Sequence, residues 1–365
     1  MIAPRLEIDL DKIRHISRTL AEQLAVRGIS VTGVTKAALG SPEIADVLLS
    51  AGIHSLGDSR VENIETMRRA RLPASMMLIR SPMLSQVDRV AACADISCNT
   101  EVEVIARLSA VAQAIKRTHG VVLMVELGDL REGILPADLE DAVRETLKFP
   151  NITLEGIGVN LACQSGVSPD AENMAHLSRL ADSIERTFGI TLGIVSGGNS
   201  ANLTWALSTT DTGRVNNLRL GEAILLGCEP LQRTPLEGLY TDAFTLVAEV
   251  IESKVKPSRA WGAVAQNAFG KPTAAQDRGL RPRTIFAVGR QDLDPRGLRA
   301  PPGMTVLGAS SDHLVVDSNN ILPIGAEVAF QLNYSALVQA MASPFVSKVT
   351  RIGPTASRRV GAVRV

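Results

Sequence analysis

The sequence predicts a TIM-type (β/α)8 barrel of the α/β class followed by an all-β domain, and three observations carry that prediction. Eight short runs rich in β-branched residues alternate with longer helical patterns between residues 12 and 230. After Pro230 the long helical patterns stop, and Val/Ile-rich runs separated by Pro/Gly turns take over. The chain has 365 residues, more than one core usually fills, so a large domain with a smaller one is expected.

Taken in order, the barrel strands fall at Val31–Thr35, His54–Gly57, Met76–Arg80, Asp95–Cys98, Val121–Glu126, Leu154–Val159, Leu192–Val195 and Asn217–Leu220, each ending in polar or glycine residues. Between them lie amphipathic stretches at Ser41–Ala51, Val61–Arg71, Glu101–Arg117, Ala137–Leu147 and Asp170–Arg186. Their apolar residues recur three and four positions apart, which gives a helix one face to bury. The second part carries strand patterns at Phe244–Ile251, Thr284–Val288, Thr305–Leu307, Leu314–Val316 and Glu327–Gln331, then one helical pattern at Ser335–Ala342. Because the first barrel strand begins only at residue 31, Arg5–Asp9 is expected to return to the β domain. The expected domains are a barrel over residues 10–232 and a β domain over residues 233–365 together with 1–9.

Composition narrows the function. Thirty-eight Lys+Arg balance 38 Asp+Glu, and only 3% of residues are aromatic. Neither a phosphate-tracking surface nor a base-stacking platform follows, so nucleic acid is not an expected partner. With 45% hydrophobic residues, 29 Gly and 18 Pro, the chain is a core-forming one rather than a disordered one. Cys93, Cys98, Cys163 and Cys228 lie far apart without paired metal-ligand spacing, so no metal is expected. Charge stands at the N-terminus where a signal peptide would be apolar, and no window approaches the ~20 apolar residues of a membrane span. The expected compartment is the reducing cytoplasm.

In such a barrel, chemistry gathers where strands end. Lys36 ends the first strand, Asp58 and Arg60 follow the second, and Arg80 ends the third. Asn99 follows the fourth, Glu126 and Arg131 the fifth, Asn160 the sixth and Ser196–Ser200 the seventh, while Arg219 lies in the eighth. An amine placed in a partly dry barrel mouth has a lowered pKa, which suits attack on a carbonyl, so a Schiff base at Lys36 is a natural use. A lysine snorkelling to solvent is the plain alternative. The segment Ser196-Gly197-Gly198-Asn199-Ser200 is a glycine-rich turn opening a helix, where backbone N–H groups attract an oxyanion. Ser200, with Gly221 and Glu222 after the next strand, lies at the habitual phosphate site of these barrels. A carbonyl-reactive lysine facing a phosphate cradle matches pyridoxal phosphate, with an aldehyde at one end and a phosphate at the other.

These residues resemble the pyridoxal-phosphate enzymes built on the alanine racemase barrel, in particular their alanine/ornithine/lysine racemase branch, over nearly the whole chain. Val34-Thr35-Lys36-Ala37 looks like the cofactor-lysine motif, Asn199-Ser200-Ala201 like the phosphate motif, and Arg219-Leu220-Gly221 like the Arg-x-Gly motif. Leu130-Arg131-Glu132-Gly133-Ile134 is similar to a loop whose arginine meets the cofactor's phenolic oxygen. Asn160 falls where alanine racemases have a histidine beside the ring, and Gly308–His313 resembles a β-domain loop that receives the substrate carboxylate at Ser311 and Asp312. The resemblance implies that Lys36 carries the cofactor and moves one proton, while Ser200, Gly221 and Glu222 hold its phosphate. It also implies that Arg219 faces the ring nitrogen, which favours racemisation, since similar barrel decarboxylases place a glutamate there. A homodimer with shared active sites is implied as well. For Arg219 the plain reading is an ion pair with Glu222 or Glu126.

The sequence also departs from the family. Alanine racemases use a tyrosine of the partner's β domain as the second base and another tyrosine at the phosphate. Here Phe269 and Phe345 stand at the matching positions, and Tyr240 and Tyr334 lie outside both motifs. A phenyl ring cannot move a proton, so Asp312, His313 and Cys163 are the expected candidates, in that order. Asp292 and Asp294 could meet a cationic substrate side chain or be solvated turn acids, while Cys98, Cys228 and His176 read as packing or surface residues. The expected function is interconversion of L- and D-amino acids, with ornithine, lysine and alanine as candidate substrates. The alternatives are decarboxylation or aldol cleavage on the same cofactor, a non-catalytic carrier of it, and a barrel that binds no cofactor.

Overall fold

The computed structural model describes residues 2–270 and 277–353; the remainder of the expected β domain lies outside the described residues. Sixteen strands occur in chain order among them. β1 is Arg5–Asp9, and eight strands then form the barrel: β2 Ser30–Val34, β3 Ser55–Asp58, β4 Ser75–Leu78, β5 Ile96–Asn99, β6 His119–Val125, β7 Ile152–Val159, β8 Ile194–Ser196 and β9 Asn217–Leu220. Each pairs in parallel with the next, and β9 closes on β2 from Ser30↔Asn217 to Gly33↔Leu220. Parallel strands roofed by helices are apolar on both faces, and all seven residues of β6 are buried accordingly.

Local sequence sets the helices between them. Helix Pro42–Ser50 starts behind Ser41, whose side chain accepts from the Ile44 amide, with proline in the first turn. Helix Ala171–Phe188 starts in a capping box of Asp170 and Asn173 and stops at Gly189 in the left-handed region. β7 and β8 approach so closely that a Cβ on Gly156 would stand 1.7 Å from the Ile194 carbonyl oxygen. Only glycine fits there.

The chain divides into two units, one of residues 12–241 and one joining residues up to Asp11 with those from Asp242 onward. The expected boundary at 232/233 moves downstream because residues 228–240 stay bonded to the barrel. Cys228 bridges Pro235, the Leu236 amide donates to the Gly227 carbonyl at 2.9 Å, and Tyr240 packs edge-on against His15 at 5.1 Å.

In the second unit, β10 Phe244–Pro257 is the long central strand, followed by β11 Leu280–Phe286, β12 Leu298–Arg299, β13 Met304–Ala309, β14 Leu314–Ser318, β15 Glu327–Leu332 and β16 Ser347–Arg351. The order is β12-β15-β10-β11-β14-β13, with β1 antiparallel to β10 and parallel to β16. Its core includes Leu246, Val250, Val316 and Val328, with Phe286 and Phe330 edge-to-face at 5.3 Å. Arg5 is buried in β1 yet fully engaged, since its guanidinium grips Glu327 through two nitrogens and Glu7 through Nε.

Candidate active site at the carboxyl ends of the barrel strands

Lys36 opens a single 3-10 turn, Lys36–Ala38, directly after β2. Thr35 anchors that turn: its amide donates to the Gly57 carbonyl at 2.9 Å and its hydroxyl to Asp58 Oδ2 at 2.7 Å. Asp58, wholly buried at the end of β3, also accepts from the Arg60 amide at 2.9 Å and Asn63 Nδ2 at 3.0 Å. Burial pushes the Asp58 carboxyl up, against the hydrogen bond from Thr35, the other donors and the charge of Lys36. The expectation of a dry environment for Lys36 needs correction. Thr35, Ala37 and Ala38 are buried, but Lys36 itself is exposed, because the turn that anchors its neighbours carries its long side chain clear of the wall.

Arg219 is 5% exposed within β9. Its Nη2 donates to the Val159 carbonyl at 2.8 Å and its Nη1 to Ser196 Oγ, whose hydroxyl passes on to Asn217 Oδ1 at 2.8 Å. Neither ion pair considered from sequence forms: Glu222 pairs with Arg233 at 3.3 Å, and Glu126 accepts the amides of Gly128 and Arg131. No acid pairs with Arg219 among the described residues. Burial draws its pKa down, yet a guanidinium keeps its proton near neutrality. A buried cation without a counter-charge is costly, so the position suits a polar or anionic ligand.

Ser200 is 3% exposed, and its hydroxyl oxygen accepts the amides of Gly221 at 3.3 Å and Ala223 at 3.2 Å. With its oxygen held by these two amides, the Ser200 hydroxyl keeps its own hydrogen to donate to an oxyanion. The converging amides are those of Gly221 and Ala223 rather than of Gly221 and Glu222, because the chain turns into a short helix at Glu222. Burial raises the Glu222 carboxyl, opposed by Arg233 and then by Lys36. The lysine's charge therefore bears on both Asp58 and Glu222.

Asn199 ties the next loop in. Its Nδ2 donates to the Leu161 carbonyl at 2.8 Å, Asn160 Oδ1 at 3.1 Å and Cys163 Sγ at 3.5 Å. Asn160 Nδ2 is sealed from solvent without a hydrogen-bond partner, so it awaits an acceptor. The loop after β6 closes on itself, with Glu126 donating to the Ile134 carbonyl and Ile134 to that of Met124. Arg131 on this loop pairs with Glu132. Burial works against the Arg131 charge, but Glu132 prevails and its pKa rises.

Asp129, 1% exposed, accepts the amides of Cys163 at 3.2 Å, Gln164 at 2.9 Å and Ser165 at 3.1 Å, and its carbonyl takes the Ser165 hydroxyl at 2.7 Å. It stitches the loops after β6 and β7 together. The sequence reading missed it because its partners are backbone amides more than thirty residues away, and amides leave no mark in a sequence. Cys98, read as a packing residue, joins Met77, Val122 and Met124 in the barrel core.

Ser311, Asp312 and His313 lie on the turn between β13 and β14 of the β unit. His313 Nδ1 meets Asp312 Oδ1 at 2.7 Å, and Ser310 Oγ donates to the same oxygen at 3.2 Å. The hydrogen bond from His313 holds the Asp312 carboxyl low. The same unit carries a cleft of about 350 Å³ lined by Asp292, Asp312, His313 and Phe345. Phe269 stacks under the Arg290 guanidinium at 4.6 Å. Among the described residues no group of His, Cys, Asp and Glu is placed to hold a metal ion, and no helix is long and apolar enough to cross a membrane.

Comparison with known proteins accords with this geometry. The chain is 37% identical to a lysine racemase of Thermotoga maritima over 96% of its length and 99% of the relative's. It is 36% identical to an ornithine racemase of Acetoanaerobium sticklandii over 94% and 99%. Among solved structures, the alanine racemase of Streptomyces lavendulae superposes with a TM-score of 0.74 at 19% identity, covering 97% of this chain and 99% of that one. The D-threonine aldolase of Filomicrobium marinum gives 0.73 at 16%, covering 99% and 94%. Likeness at that level speaks for the fold alone, and the two structures have different activities. Residues 8–230 match the family model "Alanine racemase, N-terminal domain", so with these relatives the chain belongs to the alanine racemase N-terminal domain family.

Proposed function

We propose that this chain is an amino-acid racemase that uses pyridoxal phosphate attached at Lys36, with a basic amino acid, lysine or ornithine, as substrate. The observation that carries the reading is the buried, unpaired Arg219, placed in the same barrel mouth as Lys36 and the Ser200 cradle. The donor set suits the cofactor: the hydroxyl of Ser200, held in place by two amides, for a phosphate, a guanidinium for a ring nitrogen, and the unpartnered Asn160 Nδ2 for a polar substituent. Racemases at 36–37% identity over nearly the whole chain support both the reaction and the choice of a basic substrate.

When bound, the cofactor supplies an electron sink conjugated to the substrate's Cα. The chain's own residues do the rest. Lys36 holds the cofactor and moves a proton at one face of Cα, with Thr35 and Asp58 fixing the turn beneath it. Ser200 binds the phosphate together with the backbone at Gly221, Glu222 and Ala223, while Arg131 lies toward the phenolic oxygen. Arg219 stays charged and has no proton to exchange with the ring nitrogen, so the sink is weaker than beside a carboxylate. A charged Arg219 at that position would favour return of a proton to Cα over loss of a side chain or carboxylate. We also place the protein in the cytoplasm, in keeping with its four free cysteines, as a homodimer in which the partner subunit's loop bearing Ser311 and Asp312 faces the substrate carboxylate with its hydroxyl and backbone donors.

The test is incubation of the cofactor-loaded protein with L-lysine, L-ornithine and L-alanine, followed by chiral separation. D-lysine or D-ornithine forming faster than D-alanine supports the reading. Amines or aldehydes in place of D-amino acids favour decarboxylation or aldol cleavage, and an absorbance band indifferent to every amino acid favours a carrier.

A further inference from the structure

Inverting a stereocentre requires proton transfer at two opposite faces, and Lys36 serves only one. We infer that Cys163 is the second proton-transfer group of this racemase; the inference rests on the function proposed above. Lys36 follows β2 and Cys163 follows β7, which lie three steps apart around the ring β2, β9, β8, β7, so the two residues stand on far sides of one barrel mouth. The other acids of that mouth are already engaged. Asp129 takes three amides, Glu126 takes two, Glu132 holds Arg131, and Glu222 holds Arg233. Cys163 is an exposed free thiol.

Its surroundings point to an incoming group. The sulfur accepts from Asn199 Nδ2, the same nitrogen that holds Asn160, whose own Nδ2 is sealed off without a partner. A polar group entering beside Asn160 passes next to the sulfur. Its loop is rigid where it matters, because Asp129 grips the Cys163 amide, and the preceding Ala162 is held at φ 58, a backbone conformation that non-glycine residues rarely adopt. The Asp312–His313 pair, by contrast, is tied into its own turn.

In the proposed step the Cα–H bond of one enantiomer breaks and its proton passes to the Cys163 thiolate. The electron pair stays on the substrate, delocalised into the cofactor. The Lys36 ammonium then returns a proton to the opposite face, and thiol and amine re-equilibrate with water. The reverse reaction exchanges the two roles.

The experiment compares wild type, Cys163→Ala and Cys163→Ser as cofactor-loaded proteins in D2O. Both variants are expected to keep the wild-type absorbance but to lose racemisation by at least about 100-fold, the usual weight of a general base. They are expected still to exchange the Cα hydrogen of one enantiomer, through Lys36, without inverting it. Iodoacetamide should alkylate Cys163 of the wild type at least about tenfold more slowly once cofactor and substrate are bound. Racemisation by Cys163→Ala within about threefold of wild type overturns the inference, as does loss of racemisation only in His313→Gln. A wild type that racemises nothing overturns the proposed function itself, which separates the two failures.

Discussion

Removing the Asp129 carboxylate tests whether one buried acid organises the site. In Asp129→Ala the amides of Cys163, Gln164 and Ser165 lose acceptors at 3.2, 2.9 and 3.1 Å that a single, almost fully buried carboxylate supplies. At about 1 kcal/mol for each lost hydrogen bond, the loop should be destabilised by about 3 kcal/mol. Asp129→Asn keeps one accepting oxygen but turns an N–H pair toward donors, so it should lose about half as much. Backbone hydrogen exchange of Cys163–Ser165 reads this locally. About 3 kcal/mol corresponds to opening roughly 100-fold more often, so exchange should accelerate by that factor in Asp129→Ala while β6 stays protected. Exchange within about threefold of wild type would refute the account of the stitched loops. An acceleration spread over the whole barrel would place Asp129 in global stability rather than in site assembly.

The buried His119, bonded through Nε2 to Ser97 Oγ at 2.8 Å, has its pKa drawn down to about 4 by burial. Because the unfolded chain protonates it near 6.5, its contribution is complete above about pH 7 and is lost, by about 3 kcal/mol, as pH falls from 6.5 to 4. Urea midpoints of wild type should drop more steeply over that range than those of His119→Gln, and parallel curves would contradict this. Gly156→Ala should cost at least about 3 kcal/mol or abolish soluble expression, since its Cβ would overlap the Ile194 carbonyl, whereas Gly193→Ala, with its nearest neighbour at 3.7 Å, should be close to neutral in thermal unfolding. Ser200→Ala should weaken pyridoxal-phosphate binding about tenfold in a spectroscopic titration while leaving pyridoxal binding nearly unchanged, and equal losses for both ligands would remove Ser200 from the phosphate cradle.

The barrel was legible because its strands are short, apolar and evenly interleaved with amphipathic helices, a pattern that topology hardly alters. Asn217–Leu220 was read at its observed ends, and the other barrel strands overlap their expected runs. Burial, not sequence, decides the edges: β6 begins two residues earlier at His119 because the barrel interior accommodates its imidazole. The parallel partner of β1, Ser347–Arg351, was missed. Ser-Lys-Val-Thr-Arg is half-exposed, and what makes it a strand is the backbone of Arg5–Asp9 more than three hundred residues away.

The candidate site follows the same division. Lys36, Ser200 and Arg219 stand in recognisable short motifs at strand ends. Asp58 was seen only as a polar strand end, and its bond to Thr35 beneath Lys36 emerges from the pairing of β2 with β3. Lys36 proved exposed where an apolar flank suggested dryness, because a single 3-10 turn separates a side chain's surroundings from its neighbours'.

Borohydride reduction of the protein loaded with pyridoxal phosphate, followed by proteolysis and mass spectrometry, examines the attachment point directly. A phosphopyridoxyl group on the peptide bearing Lys36, absent from Lys36→Ala, is the predicted result. A label scattered over other lysines, or a Lys36→Ala protein that absorbs and traps like wild type, would contradict it.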